Sequence, residues 1–388
     1  MPKKRKVCVI SSSRADYGLL RLIMEGIEKS EDLELQIIAT GMHLSPVFGN
    51  TFKEIEEDGF HITRKIKILD VDDTPKGIAR SIGVVMNQFP KCYEELDPSL
   101  IVVLGDRFEI LAAITAAHIL KIPVAHIGGG EITEGAIDEA FRHSITKMSH
   151  LHFTANEEYK KRVIQLGEDP NRVFNVGALG VESIKKIQLL SKKEVEKFVG
   201  INLRKRNLLV TVHPETLNTS TTPNQHLENL LIALSELEDT TIIFTKANAD
   251  TGGIAINKRI DNYVKENKRI SVVHVSLGQL KYLSLLNYVD GVVGNSSSGI
   301  VEVPSFNIGT VNIGDRQKGR IRSKSVIDCD ITIDSIRSGL NKLYQTNFQE
   351  SIQSVDNPYD GGETSTKIIN ILIKYSLENI LKKHFYDL

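Results

Sequence analysis

Short, β-branched apolar runs alternate with amphipathic stretches of helical spacing along the whole of this 388-residue chain. Such runs suit strands buried on both faces, the intervening periodicity suits helices laid across them, and the repeated order predicts βα units on parallel sheets. In the first half, strands are expected at Lys6–Ser11, Glu34–Ala39, Leu100–Leu104, Pro123–Ile127 and Leu151–Thr154. Helices are expected over Tyr17–Ser30, Lys76–Phe89, Arg107–Leu120 and Glu157–Leu166. A second series follows the turn-rich Gly167–Arg172, with strands near Val173–Val176, Leu208–Val212, Thr241–Phe244, Ile270–His274, Gly291–Val293 and Thr310–Ile313. Its helices fall near Lys192–Val199, Gln225–Leu237, Ala255–Glu266, Leu277–Leu286 and Ile333–Leu343. The length exceeds what one core usually supports. The expected organisation is a Rossmann-like domain over 1–170, a second over 171–362, and a last amphipathic stretch, Glu363–Lys383, within 363–388 that packs back on the first domain. The predicted class is therefore α/β, with two doubly wound sheets facing a cleft. Ligands of open α/β sheets bind beyond the carboxyl ends of the strands, so that cleft is the expected site.

Composition narrows the partners. A net charge of −1 supplies no overall attraction for nucleic acid, and no apolar run is long enough to span a bilayer. Cys8, Cys92 and Cys329 lie far apart, which suits a reducing compartment and structural roles; a cytosolic protein is expected. Pro2-Lys3-Lys4-Arg5-Lys6-Val7 has the form of a nuclear-localisation signal, but the apolar run it leads into makes it the solvated entry to the first strand. That strand ends in Ser11-Ser12-Ser13-Arg14 rather than G-x-G-x-x-G, there is no P-loop, and the 11 histidines show no H-E-x-x-H spacing. No nicotinamide, metal or other cofactor is expected.

Five segments carry candidate chemistry. Gly294-Asn295-Ser296-Ser297-Ser298-Gly299 follows an apolar strand and opens a helix, where backbone N–H groups, hydroxyls and the helix dipole favour an anion such as a diphosphate. A plain serine N-cap is the commoner use of such residues; the flanking glycines favour phosphate, with Glu302 placed to accept from a ribose diol. Arg316, in the basic loop with Lys318, Arg320 and Arg322, can hold phosphate oxygens bidentately, although basic loops are often only solvated rims. His213 ends another apolar strand. In the first half, Asp106 and Arg107 stand at a strand's carboxyl end, a frequent catalytic address as well as a common N-cap site. Gly128-Gly129-Gly130 then lets backbone approach a ligand, and Glu131, Glu134, Asp138 and Glu139 crowd the next stretch of chain. Asp138 and Arg142 are spaced to share a helix face, as a surface ion pair or as a pair lining the site.

Taken in order, Arg14-Ala15-Asp16-Tyr17, Gly41-Met42-His43-Leu44, Gly105-Asp106-Arg107-Phe108, Gly129-Gly130-Glu131, Ile137-Asp138, Arg142-His143, His213-Pro214, Gly294-Asn295-Ser296-Ser297 and Gly314-Asp315-Arg316-Gln317 resemble the hydrolysing UDP-N-acetylglucosamine 2-epimerases over nearly the whole chain. The resemblance implies a GT-B-like pair of domains, a dimer or tetramer, and a two-step reaction. H2 of the sugar is removed as UDP leaves C1, giving a 2-acetamidoglucal, and water then adds to give a free mannose-configured sugar. By motif, Arg14, Arg107, His213, Asn248, His274, Ser296, Ser297, Glu302 and Arg316 would bind UDP, while Asp106, Glu131, Asp138, Arg142 and His143 would surround the sugar.

One departure bears on mechanism. Many family members carry Glu where this chain has Gly128, so Glu131 is the expected compensating acid/base, with Glu134 in reserve. Gly128 also opens room for a modified sugar, and the Thr133–Glu139 run is similar to the subgroup serving sialic and legionaminic acid synthesis, which brings in a 2,4-diacetamido-trideoxy sugar nucleotide beside UDP-N-acetylglucosamine. A GT-B glycosyltransferase and a non-catalytic sugar-nucleotide sensor are the rival readings, since a fold does not fix a function.

Overall fold

The computed structural model describes residues 4–68, 74–215, 217, 223–248 and 250–388. Pro2 and Lys3 of the basic cluster lie outside them; Arg5 and Lys6 already belong to the first strand. The chain forms two compact units, one of residues 1–131, 138–183 and 359–388 and the other of 132–137 and 184–358.

The first unit contains β1 (Arg5–Ser11), β2 (Leu33–Thr40), β3 (Arg64–Ile66), β4 (Leu100–Leu104), β5 (Val124–Ile127), β6 (Leu151–Thr154) and β7 (Val173–Asn175), in the parallel order β3-β2-β1-β4-β5-β6-β7. Alternation along β1 divides its core. Val7 and Val9 face the helices Arg14–Glu28 and Thr364–Lys374, whose Leu20, Ile23, Ile368 and Leu372 are buried, whereas Cys8 and Ile10 face Phe89, Tyr93 and Ile110 on the other side.

The second unit contains β8 (Arg206–Thr211), β9 (Thr240–Thr245), β10 (Ser271–His274), β11 (Gly291–Gly294), β12 (Gly309–Ile313) and β13 (Val326–Cys329), parallel in the order β10-β9-β8-β11-β12-β13. Both sheets reverse direction of winding once, at β1/β4 and at β8/β11. These switch points are where an open α/β sheet leaves a crevice beyond its strand ends.

The structure differs from the sequence reading in several places. The Val173 strand, assigned to the second series, pairs with β6 and closes the edge of the first sheet. The helix expected to stop at Phe89 runs Pro75–Leu96 through Pro90. Proline removes one helical hydrogen bond, but burial of Cys92, Tyr93 and Leu96 beyond it, with the Tyr93 hydroxyl donating to the Ala113 carbonyl at 3.1 Å, holds the last turns. The final helix, expected to reach Lys383, ends at Lys374. Its start is fixed by buried Glu182, whose carboxylate accepts from the Ser365 amide at 2.6 Å and hydroxyl at 2.7 Å; an acidic group at a helix N-terminus is favourable.

The segment that returns the chain to the first unit passes through a narrow gap. A Cβ at Gly361 would overlap the Val176 carbonyl and the backbone of Gly177, while nearby the Tyr159 and Tyr359 hydroxyls bond at 2.7 Å. Gly361→Ala is expected to destabilise the protein by about 1–3 kcal/mol through overpacking against immovable backbone; a denaturant midpoint equal to wild type would contradict this crossing.

Candidate functional site

In the first unit the candidate residues gather at the carboxyl ends of β1, β4 and β5. Asp106 and Arg107 follow β4, and Glu131 follows β5 by four residues. Their organiser is Arg142, on the helix Asp138–Met148 and only 1% exposed. Its Nη2 donates to Asp106 Oδ2, and its Nη1 donates to Glu139 Oε2 at 2.8 Å and to the Glu131 main-chain carbonyl at 2.9 Å. Glu139 also accepts from His143 Nε2 at 3.0 Å. Asp106, Glu131, Arg142 and His143 are thus brought together, with Glu139 as the link, and Asp138 stands at the start of the same helix.

His126, within β5, supports this group from behind. Its Nε2 lies 2.8 Å from the Gly105 carbonyl and its Nδ1 3.2 Å from Thr146 Oγ1. A carbonyl can only accept, so Nε2 carries the proton and Nδ1 accepts from the threonine. Burial pushes His126 down to about 3, which keeps that neutral arrangement and fixes the backbone just before Asp106.

A space-making feature sits beside Glu131. A side chain starting at Gly128 would have its nearest neighbours, Glu131 Oε1 and the Gly105 amide, at 3.8 Å. The Glu131 carboxylate therefore borders the place where the resemblance leads one to expect a glutamate. Glu134, the reserve, is exposed and lies in the segment 132–137 beside Gly319.

The β1 end forms a second layer. Arg107 Nε donates to buried Glu109 at 2.7 Å. Ser12 Oγ donates to Asp16 Oδ2 at 2.6 Å, and burial raises the Asp16 carboxyl above its ordinary value, partly offset by the Arg107 guanidinium. Arg14 pairs with Glu54 at 2.8 Å. His43 is held between Ser11 Oγ at 2.9 Å and Thr51 Oγ1 at 2.8 Å, and burial pushes it down to about 4.

In the second unit the ends of β8, β11 and β12 are tied together by Asn295. Its Oδ1 accepts from the His213 amide at 2.7 Å, its Nδ2 donates to the His213 carbonyl at 2.8 Å, and its own carbonyl accepts from Arg316 Nη1 at 3.2 Å and Gln317 Nε2 at 2.9 Å. The Asn248 amide reaches His213 Nδ1 at a long 3.4 Å. Gly294, at φ 131°, lies where a Cβ would strike the Thr211 carbonyl, so only glycine brings this loop so close to β8. Ser296 and Ser297 are half-buried beyond it, and Ser298 bonds to the hydroxyl of half-buried Tyr282. The helix they open is a single turn, Ser298–Val301, with Glu302 directly after it. A turn this short has little macrodipole, so hydroxyls and individual N–H groups are what this loop offers an anion. His274 closes β10, but its ring bonds to the Val199 carbonyl at 3.1 Å. Arg320 and Arg322 are engaged internally, Arg320 Nε with the Ile132 carbonyl at 3.1 Å and Arg322 with Asp328 at 3.2 Å. Among the described residues, no three His, Cys, Asp or Glu side chains converge so as to hold a metal ion, and no helix is long and apolar enough to cross a membrane.

Sequence reasoning named Glu139 and Asn295 only as neighbours. Both act through contacts with residues distant in the chain, Asp106 by way of Arg142 and His213, and only the glycine-flanked position of Asn295 at a strand end hinted at its part.

Two parallel sheets of this order, each with polar side chains clustered at its strand ends, define a twin doubly wound α/β protein. Residues 25–373 match the family model described as UDP-N-acetylglucosamine 2-epimerase, and the chain belongs to that family. It is 45% identical, over 99% of its length and 100% of the relative's, to the GDP/UDP-N,N'-diacetylbacillosamine 2-epimerase (hydrolyzing) of Campylobacter jejuni. It is 40% identical to polysialic acid biosynthesis protein P7 of Escherichia coli, over 99% of this chain and 98% of that one. The crystal structure of the Neisseria meningitidis UDP-GlcNAc 2-epimerase bound to UDP-GlcNAc superposes with a TM-score of 0.80 at 16% identity, over 95% of this chain and 100% of that one, which establishes the common fold.

The buried histidines make stability depend on acid. His43, His126 and His150 are held neutral, pushed down to about 4, 3 and 3, whereas in the unfolded chain each takes a proton near 6.5. Below pH 6.5 the unfolded state therefore binds more protons, and stability falls with pH until the folded values are reached, by up to about 1.4 kcal/mol per pH unit for each group. Urea midpoints are expected to drop clearly between pH 7.5 and pH 5; equal midpoints would refute the neutral, buried state.

Proposed function

We propose that this protein is a hydrolysing nucleotide-sugar 2-epimerase whose donor is a nucleotide-linked N,N'-diacetylbacillosamine, converted to the nucleoside diphosphate and the free 2-epimeric sugar. The observation that carries the proposal is the carboxylate group assembled around Arg142 at the ends of β4 and β5.

Inversion at C2 requires a proton to leave from one face and return on the other, so two groups are needed. Asp106 removes H2 as the C1–O bond to the diphosphate breaks and a C1=C2 alkene forms; the bonding pair leaves with the nucleotide. Arg142 holds one Asp106 oxygen while the carboxylate stays 23% exposed, within reach of a ligand. Water oxygen then bonds to C1 and a proton is delivered to C2, the step assigned to Glu131. Asp138 and His143 complete the sugar-facing set. Removing a weakly acidic proton needs early loosening of the leaving group, so the developing charge on the diphosphate must be met. His213, Ser296, Ser297 and Arg316, gathered around Asn295, supply those donors, with Glu302 for the ribose and Asn248, Arg14, Arg107 and His274 in supporting contacts. The lack of a side chain at Gly128, beside the Glu131 carboxylate, and the name of the Campylobacter jejuni relative support a donor larger than N-acetylglucosamine.

Proton NMR in D₂O with EDTA present decides among donors. The diacetylbacillosamine nucleotide, as UDP or GDP derivative, is expected to give free nucleotide and a C2-deuterated sugar, faster than UDP-N-acetylglucosamine does. No product from any donor would turn the reading towards transfer to an acceptor or binding without turnover. Asp106→Asn is expected to lower kcat by about 10²-fold or more while UDP affinity, read by calorimetry, stays within about twofold; wild-type turnover would remove Asp106 from the mechanism.

A further inference from the structure

The helix Asp138–Met148 carries Glu139, Arg142 and His143, yet only Arg142, Ile145 and Thr146 of its eleven residues are buried. With so little apolar surface anchoring it, its placement depends on polar contacts along its first half and at its C-terminal end. Its first half is held through Arg142. The C-terminal end is held by the tail that follows the last helix. Lys383 Nζ donates to the carbonyls of Lys147 at 2.7 Å and Ser149 at 2.6 Å, and to Glu168 Oε2 at 2.6 Å. All three ammonium donors are thereby used, two of them on carbonyls at the helix's C-terminal end, where the macrodipole favours a cation.

Glu168 is itself buried, and it receives Lys147 at 2.7 Å and His152 Nε2 at 2.9 Å besides Lys383. The tail is pinned on either side of Lys383. Arg172 donates to the carbonyls of Ile380 at 2.8 Å and Lys382 at 3.2 Å, the Tyr386 amide donates to the Gly167 carbonyl at 3.0 Å, and the Phe385 ring lies against Gly167. This path exists because the last helix ends at Lys374, which leaves a non-helical stretch, with a turn over residues 378–381, long enough to reach the end of the Asp138 helix.

We propose that Lys383 is a positioning residue of the epimerase reaction, which locks the helix bearing Arg142, and through it Asp106 and Glu139, from the end opposite the chemistry. The inference rests on the proposed function. Lys383 touches no substrate; it sets where the helix stops sliding. A displacement of about 1 Å in a catalytic group can cost on the order of 10²-fold in rate, whereas His213, Ser296, Ser297 and Arg316 of the nucleotide set belong to the other unit.

The test compares wild type, Lys383→Met, Lys383→Arg and Phe385→Ala in the full-length protein. Lys383→Met is expected to lower kcat by about tenfold to a hundredfold with the UDP inhibition constant within about twofold, and Lys383→Arg, which keeps the charge and several donors, recovers most of the loss. Phe385→Ala removes a ring that is 67% exposed and leaves every charge in place; it should fold, and should lower kcat about threefold, again with UDP inhibition unchanged. A folded Lys383→Met enzyme with kcat within twofold of wild type overturns the proposal. If that variant does not fold, wild-type kcat in Phe385→Ala overturns it. Wild-type protein that releases no nucleotide from any donor overturns instead the function on which the proposal stands.

Discussion

A guanidinium taken out of water is costly unless each lost contact is replaced, and Arg142 is almost wholly buried. Its replacement partners are one oxygen of Asp106, one of Glu139 and the main-chain carbonyl of Glu131. Those three lie on different elements, the end of β4, a helix and the loop after β5. The same bonds that make burial tolerable therefore bring three distant parts of the first unit into register. A carboxylate fixed by such a fork is held in orientation as well as in charge, which is what a group exchanging protons with a poorly acidic carbon requires.

The two units solve the same problem with different chemistry. At the β1/β4 switch the organiser is a buried cation among carboxylates, suited to moving protons. At the β8/β11 switch it is a neutral side-chain amide, Asn295, which fixes backbone geometry at the ends of β8 and β12 and leaves positive and hydroxyl groups for an anion. Among the described residues neither group includes a metal ligand set.

How much of the molecule is legible in the sequence depends on how strongly each feature is written into composition. Strands such as Leu100–Leu104, apolar throughout, and Leu151–Thr154, buried throughout, appear at the expected residues. Edge strands are less legible. Arg64–Ile66 buries only Ile66, and Val326–Cys329 exposes Asp328, so neither presents a continuous apolar run and neither is anticipated. Pro90 misleads in the other direction, because a tertiary anchor at Tyr93 outweighs the lost hydrogen bond. The strand-end positions of Asp106, His213 and the Gly294 loop are visible, since the fold fixes where such residues point. That Arg142 would be buried, and that Glu139 and Asn295 would hold the two groups together, depends on contacts between segments far apart in the chain.

The first unit is assembled from the beginning and the far end of the chain, with the second unit made in between. During synthesis, Lys147, His152 and Glu168 emerge from the ribosome more than two hundred residues before Lys383, and the slot at the edge of Gly177 must likewise wait for Gly361. Until then a glutamate destined for burial lacks one of its cations, and the apolar face that will cover Ile368 and Leu372 is open to water. The second unit can therefore collapse around its own contiguous stretch before the first is finished. Domains in general fold as they are completed, and here the part bearing the carboxylates is the last to be completed, so a truncated or stalled chain would display a folded second unit joined to an unfinished first one.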